Sequence, residues 1–127
     1  MFKTLILIGI GGGLGSILRY LTGFVFFKFY SSTFPLATFS INLIGCFIIG
    51  ILIAFSSKQF ILSEQLKFFL ITGFCGGYTT FSAFSTENIQ LFLKGEYLIT
   101  ALYIAASVFF GILAVFLGMV LVKQGGF

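Results

Sequence analysis

Between Gly76 and Glu87 the chain reads Gly-Gly-Tyr-Thr-Thr-Phe-Ser-Ala-Phe-Ser-Thr-Glu, seven hydroxyl or carboxyl side chains within otherwise apolar sequence. On a helix, Phe81 and Phe84 share a face, with Asn88 one turn further on. Thr79, Ser82, Thr86 and Gln90 fall on a neighbouring polar stripe by the same spacing. An aromatic ring carries a positive edge, so rows of ring edges beside hydroxyl and amide donors can take the place of water around an anion. The candidate donors are Asn42, Ser82, Ser85, Thr86, Tyr103 and Ser107. Each has a plainer structural reading. Aromatics at helical spacing commonly pack, and the chain has 20 phenylalanines. Membrane hydroxyls often bond back to their own helix, and Asn42 can serve as interhelical glue.

Two charged residues complete the set. Arg19, the sole arginine, follows a long apolar run and either snorkels to an interface or gathers anions at a pore mouth. Glu87 is the one carboxylate in the interior of an expected span, where it is a packing partner, a gate, a proton carrier or a partner of Arg19. Catalytic chemistry finds no support. The chain has no histidine, and Cys46 and Cys75 lack metal-ligand spacing, so neither a metal-thiolate site nor a Cys-His nucleophile can be assembled.

What must position these groups follows from composition. In 127 residues, 59% are hydrophobic and 8% charged, and the mean hydropathy is +1.19. These values describe an all-α integral membrane protein of one domain, residues 1–127, with no length left for a soluble catalytic domain. The seven basic residues behind the net charge of +4 are scattered singly, giving membrane-end anchors and no nucleic-acid surface. A lysine followed by an apolar run in residues 1–15 imitates a secretory signal. No Ala-x-Ala-like site follows and the apolar run resumes after Arg19, so a retained first helix is expected.

Four transmembrane helices are expected, near 2–27, 35–55, 64–93 and 97–122, each long enough for a hydrocarbon core of about 30 Å. The loops are 28–34, 56–63 and 94–96; Pro35 suits the start of the second helix and Ser63 an N-cap for the third. The third segment is longer than a plain span, and Gly76-Gly77 near its middle predicts a helix broken around 75–79. With both termini on one side, Lys3, Lys58, Lys67 and Lys123 face Arg19, Lys28 and Lys94 across the membrane. Four against three is almost no positive-inside bias. A chain so weakly oriented can insert both ways and form an antiparallel dimer, the alternative being a single topology set by another feature. Two breaks meeting on a twofold axis would converge carbonyl oxygens on a cation. Glycines 9, 11, 12, 13 and 15 in the first helix fail the dinucleotide and P-loop patterns and read as a close-packing face.

Gly76 to Thr86, together with Gly11-Gly12-Gly13-Leu14-Gly15 leading to Arg19-Tyr20 and Asn42 in the second span, resembles the Fluc (CrcB) family of fluoride channels. The resemblance covers nearly the whole chain. It implies a dual-topology antiparallel homodimer in the cell (plasma) membrane, two fluoride pores and a structural sodium ion at the dimer axis, with lipid around it. Phe81 and Phe84 look like the family's pore phenylalanines and Asn42 like its pore asparagine. Gly76 and Thr79 match the positions whose main-chain carbonyls hold sodium. Ser82, Ser85, Tyr103 and Ser107 resemble the polar lining, with Arg19 near the entrance and Glu87 beside the pathway. Gly111 and Val115 stand where some members place further hydroxyls. The implied activity is passive, fluoride-selective export by a channel, not an enzyme. The alternatives are a small dual-topology, proton-coupled exporter of organic cations working through Glu87, and a non-transporting assembly subunit.

Overall fold

A computed structural model describes residues 1–58 and 62–125. Among them the chain is helical apart from short connections: α1 (Phe2–Phe29), α2 (Leu36–Ser57), α3 (Glu64–Lys67), a π-helical segment (Phe68–Cys75), α4 (Gly76–Tyr78), α5 (Phe81–Leu93) and α6 (Tyr97–Gln124). Three helices, α1, α2 and α6, are long and apolar enough to cross a membrane. The third expected span is a series of pieces from Glu64 to Leu93. Part of the expected 56–63 loop, residues 59–61, lies outside the described residues; its start is still helical, since α2 runs to Ser57.

Local chemistry explains the ends of the elements. The Ser63 hydroxyl accepts a hydrogen bond from the Leu66 N–H at 3.2 Å, capping α3. Gly95, at φ +81°, ends α5. Its N–H donates to the Phe92 carbonyl and the Glu96 N–H to the Leu91 carbonyl, both at 3.0 Å. That pair of bonds satisfies carbonyls a helix end would otherwise leave open, and the left-handed residue it requires is cheapest as glycine. The chain thus reverses in very few residues and lays α6 back along α5 and α2.

Two close contacts organise the bundle. In the first, α1 lies against the π-helical segment and α4. A Cβ placed on Gly11 would strike the Phe69 carbonyl, one on Gly15 the Phe74 carbonyl, and one on Gly77 the Gly12 carbonyl. In the second, α2 lies along α6, where Gly50 meets the backbone of Val115 and Gly118 that of Phe47. Inside a membrane apolar residues gain little by leaving lipid for one another, so backbone proximity and close packing must hold the helices together. Small residues permit it.

The glycine pair plays a different part from the one its sequence position suggests. Gly76 and Gly77 are helical, with Gly76 at φ −62° and ψ −36°. The interruption falls at the far edge of the expected window and one residue beyond it, at Thr79 (φ −79°, ψ 158°) and Thr80 (φ −148°, ψ 121°). Gly77 serves close packing against α1, and the break has another cause, described below.

Substitution should separate packing glycines from idle ones. We predict that Gly77→Ala lowers unfolding stability in detergent by about 1–3 kcal/mol, as overpacking does. Gly13→Ala, where a Cβ meets nothing within 4 Å, should leave it within about 0.5 kcal/mol or raise it slightly. Equal unfolding midpoints for the two variants would refute this packing account.

Candidate anion pathway

The break is made by one side chain from a neighbouring helix. In a continuous α-helix the Thr80 N–H would donate to the Gly76 carbonyl, four residues back. Here it donates to Asn42 Oδ1 at 2.9 Å, while Asn42 Nδ2 donates to the Thr80 carbonyl at 3.0 Å. The amide of α2 therefore satisfies both backbone groups of one residue, as a neighbouring strand would. Thr80 also starts the next helix, its hydroxyl accepting from the Ala83 N–H at 3.1 Å. Chain direction is reset at Thr79–Thr80 with both backbone groups of Thr80 paired, which matters in a membrane, where each one left unpaired would cost several kcal/mol.

Below this splint lies a groove of about 440 Å³. Asn42, Thr79, Phe81, Phe84 and Ser107 line it, with Gly76 at its wall. The Phe81 and Phe84 ring centroids are 5.6 Å apart. Phe81 is 78% exposed, so its ring projects from the isolated chain rather than into its core. Ser107, on the groove's lining, has a buried hydroxyl with no hydrogen-bond partner among the described residues.

A second cavity, of about 570 Å³, opens where the α1–α2 connection meets the end of α5, and Thr38 and Glu87 line it. A short relay of contacts joins the two spaces. The Phe84 ring meets the Tyr103 ring at 5.0 Å and 65°, an edge-on arrangement. Tyr103, fully buried, donates its hydroxyl to Glu87 Oε2 at 2.8 Å. Thr38 donates to the other oxygen, Oε1. Phe34 presses on Tyr103 from the side at 5.2 Å and 70°. Tilted and edge-on rings and hydroxyls thus form one unbroken chain of side-chain contacts between the two cavities. Such a lining can replace the hydration of a small anion, which must compete with the Glu87 carboxylate for the Thr38 and Tyr103 hydroxyls.

Asn42, Phe81, Phe84, Ser107, Gly76 and Thr79 come together in the groove, and Tyr103 and Glu87 continue from it. Other candidates lie elsewhere. Ser82 is exposed, 3.2 Å from the Thr80 hydroxyl, and Ser85 is half-buried outside both cavities. Arg19, half-buried on α1, lines neither cavity, and the Glu87 carboxylate is held by two hydroxyls instead. The polar stripe does not act as a row of donors: the Thr79 hydroxyl bonds back to the Cys75 carbonyl and the Thr86 hydroxyl to the Ser82 carbonyl, both at 2.9 Å. Sequence reasoning missed Thr38 and the role of Thr80. Thr38 sits one turn before Asn42 on the same face of α2, a spacing that could have flagged it.

Comparison with known proteins gives the family. The profile of the family described as CrcB-like protein, Camphor Resistance (CrcB), matches residues 6–119. The chain belongs to this family. Among similar proteins, one of Flavobacterium psychrophilum is 54% identical over 96% of this chain and 98% of its own, and one of Azobacteroides pseudotrichonymphae is 49% identical over 97% and 98%. A third, of Rhizobium etli, is 42% identical over 93% and 94%. All three carry the name fluoride-specific ion channel FluC. With its three long apolar helices, this CrcB-family chain is a multi-pass membrane protein.

Asn42→Ala removes the partner of the Thr80 N–H and one of the donors to the Thr80 carbonyl. The expected result is a stability loss of about 1–3 kcal/mol for each group left unpaired, read from the unfolding midpoint in detergent. An unchanged midpoint would show that the break does not depend on Asn42.

Proposed function

We propose that the chain is one protomer of a fluoride-selective channel that lets fluoride leave the cytoplasm passively across the plasma membrane. The observation that carries this reading is the chain of contacting rings and donors from the Phe81–Phe84 groove through Tyr103 to Glu87. The relatives named as fluoride-specific channels support it. Fluoride is small and holds its water tightly, so a pore passing it must offer close donors in place of that water. Hydroxyls and ring edges do so without a fixed cation that would trap the ion. Outflow follows the gradient and the membrane potential, which expels a negative ion from a negative interior.

In this reading the pieces from Glu64 to Leu93 together form a fourth crossing, and two copies insert in opposite orientations. The groove is open on one side in the single chain, and Phe81 stands on its rim, 78% exposed; a second, antiparallel copy would close it. The same pairing would bring two breaks together. Diversion of the Thr80 N–H to Asn42 releases the Gly76 carbonyl, and the extended Thr79 turns its own out of the helical ladder. Main-chain oxygens of this kind suit a hard cation, and Gly76 and Thr79 of each protomer would hold a sodium ion that ties the dimer together.

Two measurements test these statements. Liposomes containing the purified protein should release fluoride quickly and chloride very slowly; equal passage of both, or of neither, would sink the channel reading. Dimer and flux should weaken when sodium is replaced completely by a large organic cation. A dimer that persisted with undiminished flux would remove sodium from its structural role.

A further inference from the structure

We infer that Lys94 is a charge-steering residue, drawing the anion into the 570 Å³ vestibule against the repulsion of two carboxylates. The inference rests on the channel reading above. Glu87 and Lys94 are the charged residues lining this cavity. Glu87 is its inner charge, bonded to the fully buried Tyr103. On the solvent side, Lys94 also lines an adjoining cavity of about 510 Å³ shared with Glu96, which is exposed. An anion approaching this end therefore meets the exposed Glu96 and Lys94 before the half-buried Glu87.

The order of charges matters. Without Lys94 the mouth would present two carboxylates to an incoming anion, and low-dielectric walls would focus their field along the cavity. Lys94 offsets one of them at the point where both cavities meet. Ser31, Ser32 and Thr33 line the same two spaces and add hydroxyls there. Arg19, carried by resemblance to an entrance, lines neither the vestibule nor the adjoining cavity. Lys94 also caps the C-terminal end of α5, where a cation favours the helix dipole. That structural role predicts an effect on folding, whereas steering predicts an effect on rate that salt removes.

The experiment measures initial fluoride efflux from liposomes at ionic strengths of about 0.01 M and about 1 M, where screening lengths are about 30 Å and about 3 Å. Lys94→Gln should slow efflux about two- to five-fold at low ionic strength and have little effect at high. Glu96→Gln should act in the opposite sense, speeding efflux at low ionic strength only. Lys94→Arg, which keeps the charge, should hold the unsubstituted rate. Equal rates for Lys94→Gln and the unsubstituted protein at low ionic strength would overturn the inference. So would a deficit of the same size at both ionic strengths, or slower efflux from Glu96→Gln. If the unsubstituted protein releases no fluoride, the channel reading fails and steering falls with it; if it conducts and the salt dependence is missing, only steering fails.

Discussion

A membrane interior offers no water to a broken helix, and the architecture turns on how this chain meets that constraint. At Thr80 the N–H needs a partner outside the helical ladder, and the Asn42 amide supplies it while its other end donates to the Thr80 carbonyl, one acceptor and one donor. A hydroxyl could serve both groups only by strained geometry, and a carboxylate would set oxygen against oxygen. With both groups satisfied, the chain changes direction between α4 and α5 and starts a new helix under the Thr80 cap. That change aims Phe81 and Phe84 at the groove and carries Glu87 to Tyr103 and Thr38.

The splint works only if α2 and α4 are close. Gly45, beside Asn42's turn on α2, is what allows it, since a Cβ there would collide with the Thr79 side chain. On the opposite side the glycines of α1 hold the π-helical segment and α4 in backbone contact. The break is thus clamped from two directions by residues without side chains. Rigidity of this kind suits an ion path, because donors must stand ready before the ion arrives if they are to replace its water without first being reorganised.

Polar groups within the bundle divide by what their neighbours leave for them. Ser56, Thr79, Thr86 and Thr100 hydroxyls bond to carbonyls four residues earlier in the chain, which settles them locally. Ser107, on the groove's lining, is placed so that its buried hydroxyl finds no partner among the described residues. Thr38 and Tyr103 instead reach across helices to Glu87. Residue type alone does not separate these groups, since each supplies the same hydroxyl chemistry; the partner within reach separates them.

The membrane setting, the helical class, the close-packing glycines of α1 and the Phe81–Phe84 pair are all legible in the sequence, because each depends on composition or on spacing along one helix. The caps at Ser63 and Gly95 are local in the same way. Tertiary structure alone decided where the third segment breaks. Gly76-Gly77 signals a weak helix, yet the pair stays helical against α1, and the interruption sits where an asparagine 38 residues earlier in the chain captures the backbone of Thr80. It also decided that Glu87 joins Thr38 and Tyr103, and that Arg19 stays outside the groove and the vestibule. The reason is the same in each case: a hydrogen bond between helices depends on how they are rotated and spaced against one another, and the close packing of many residues sets that arrangement.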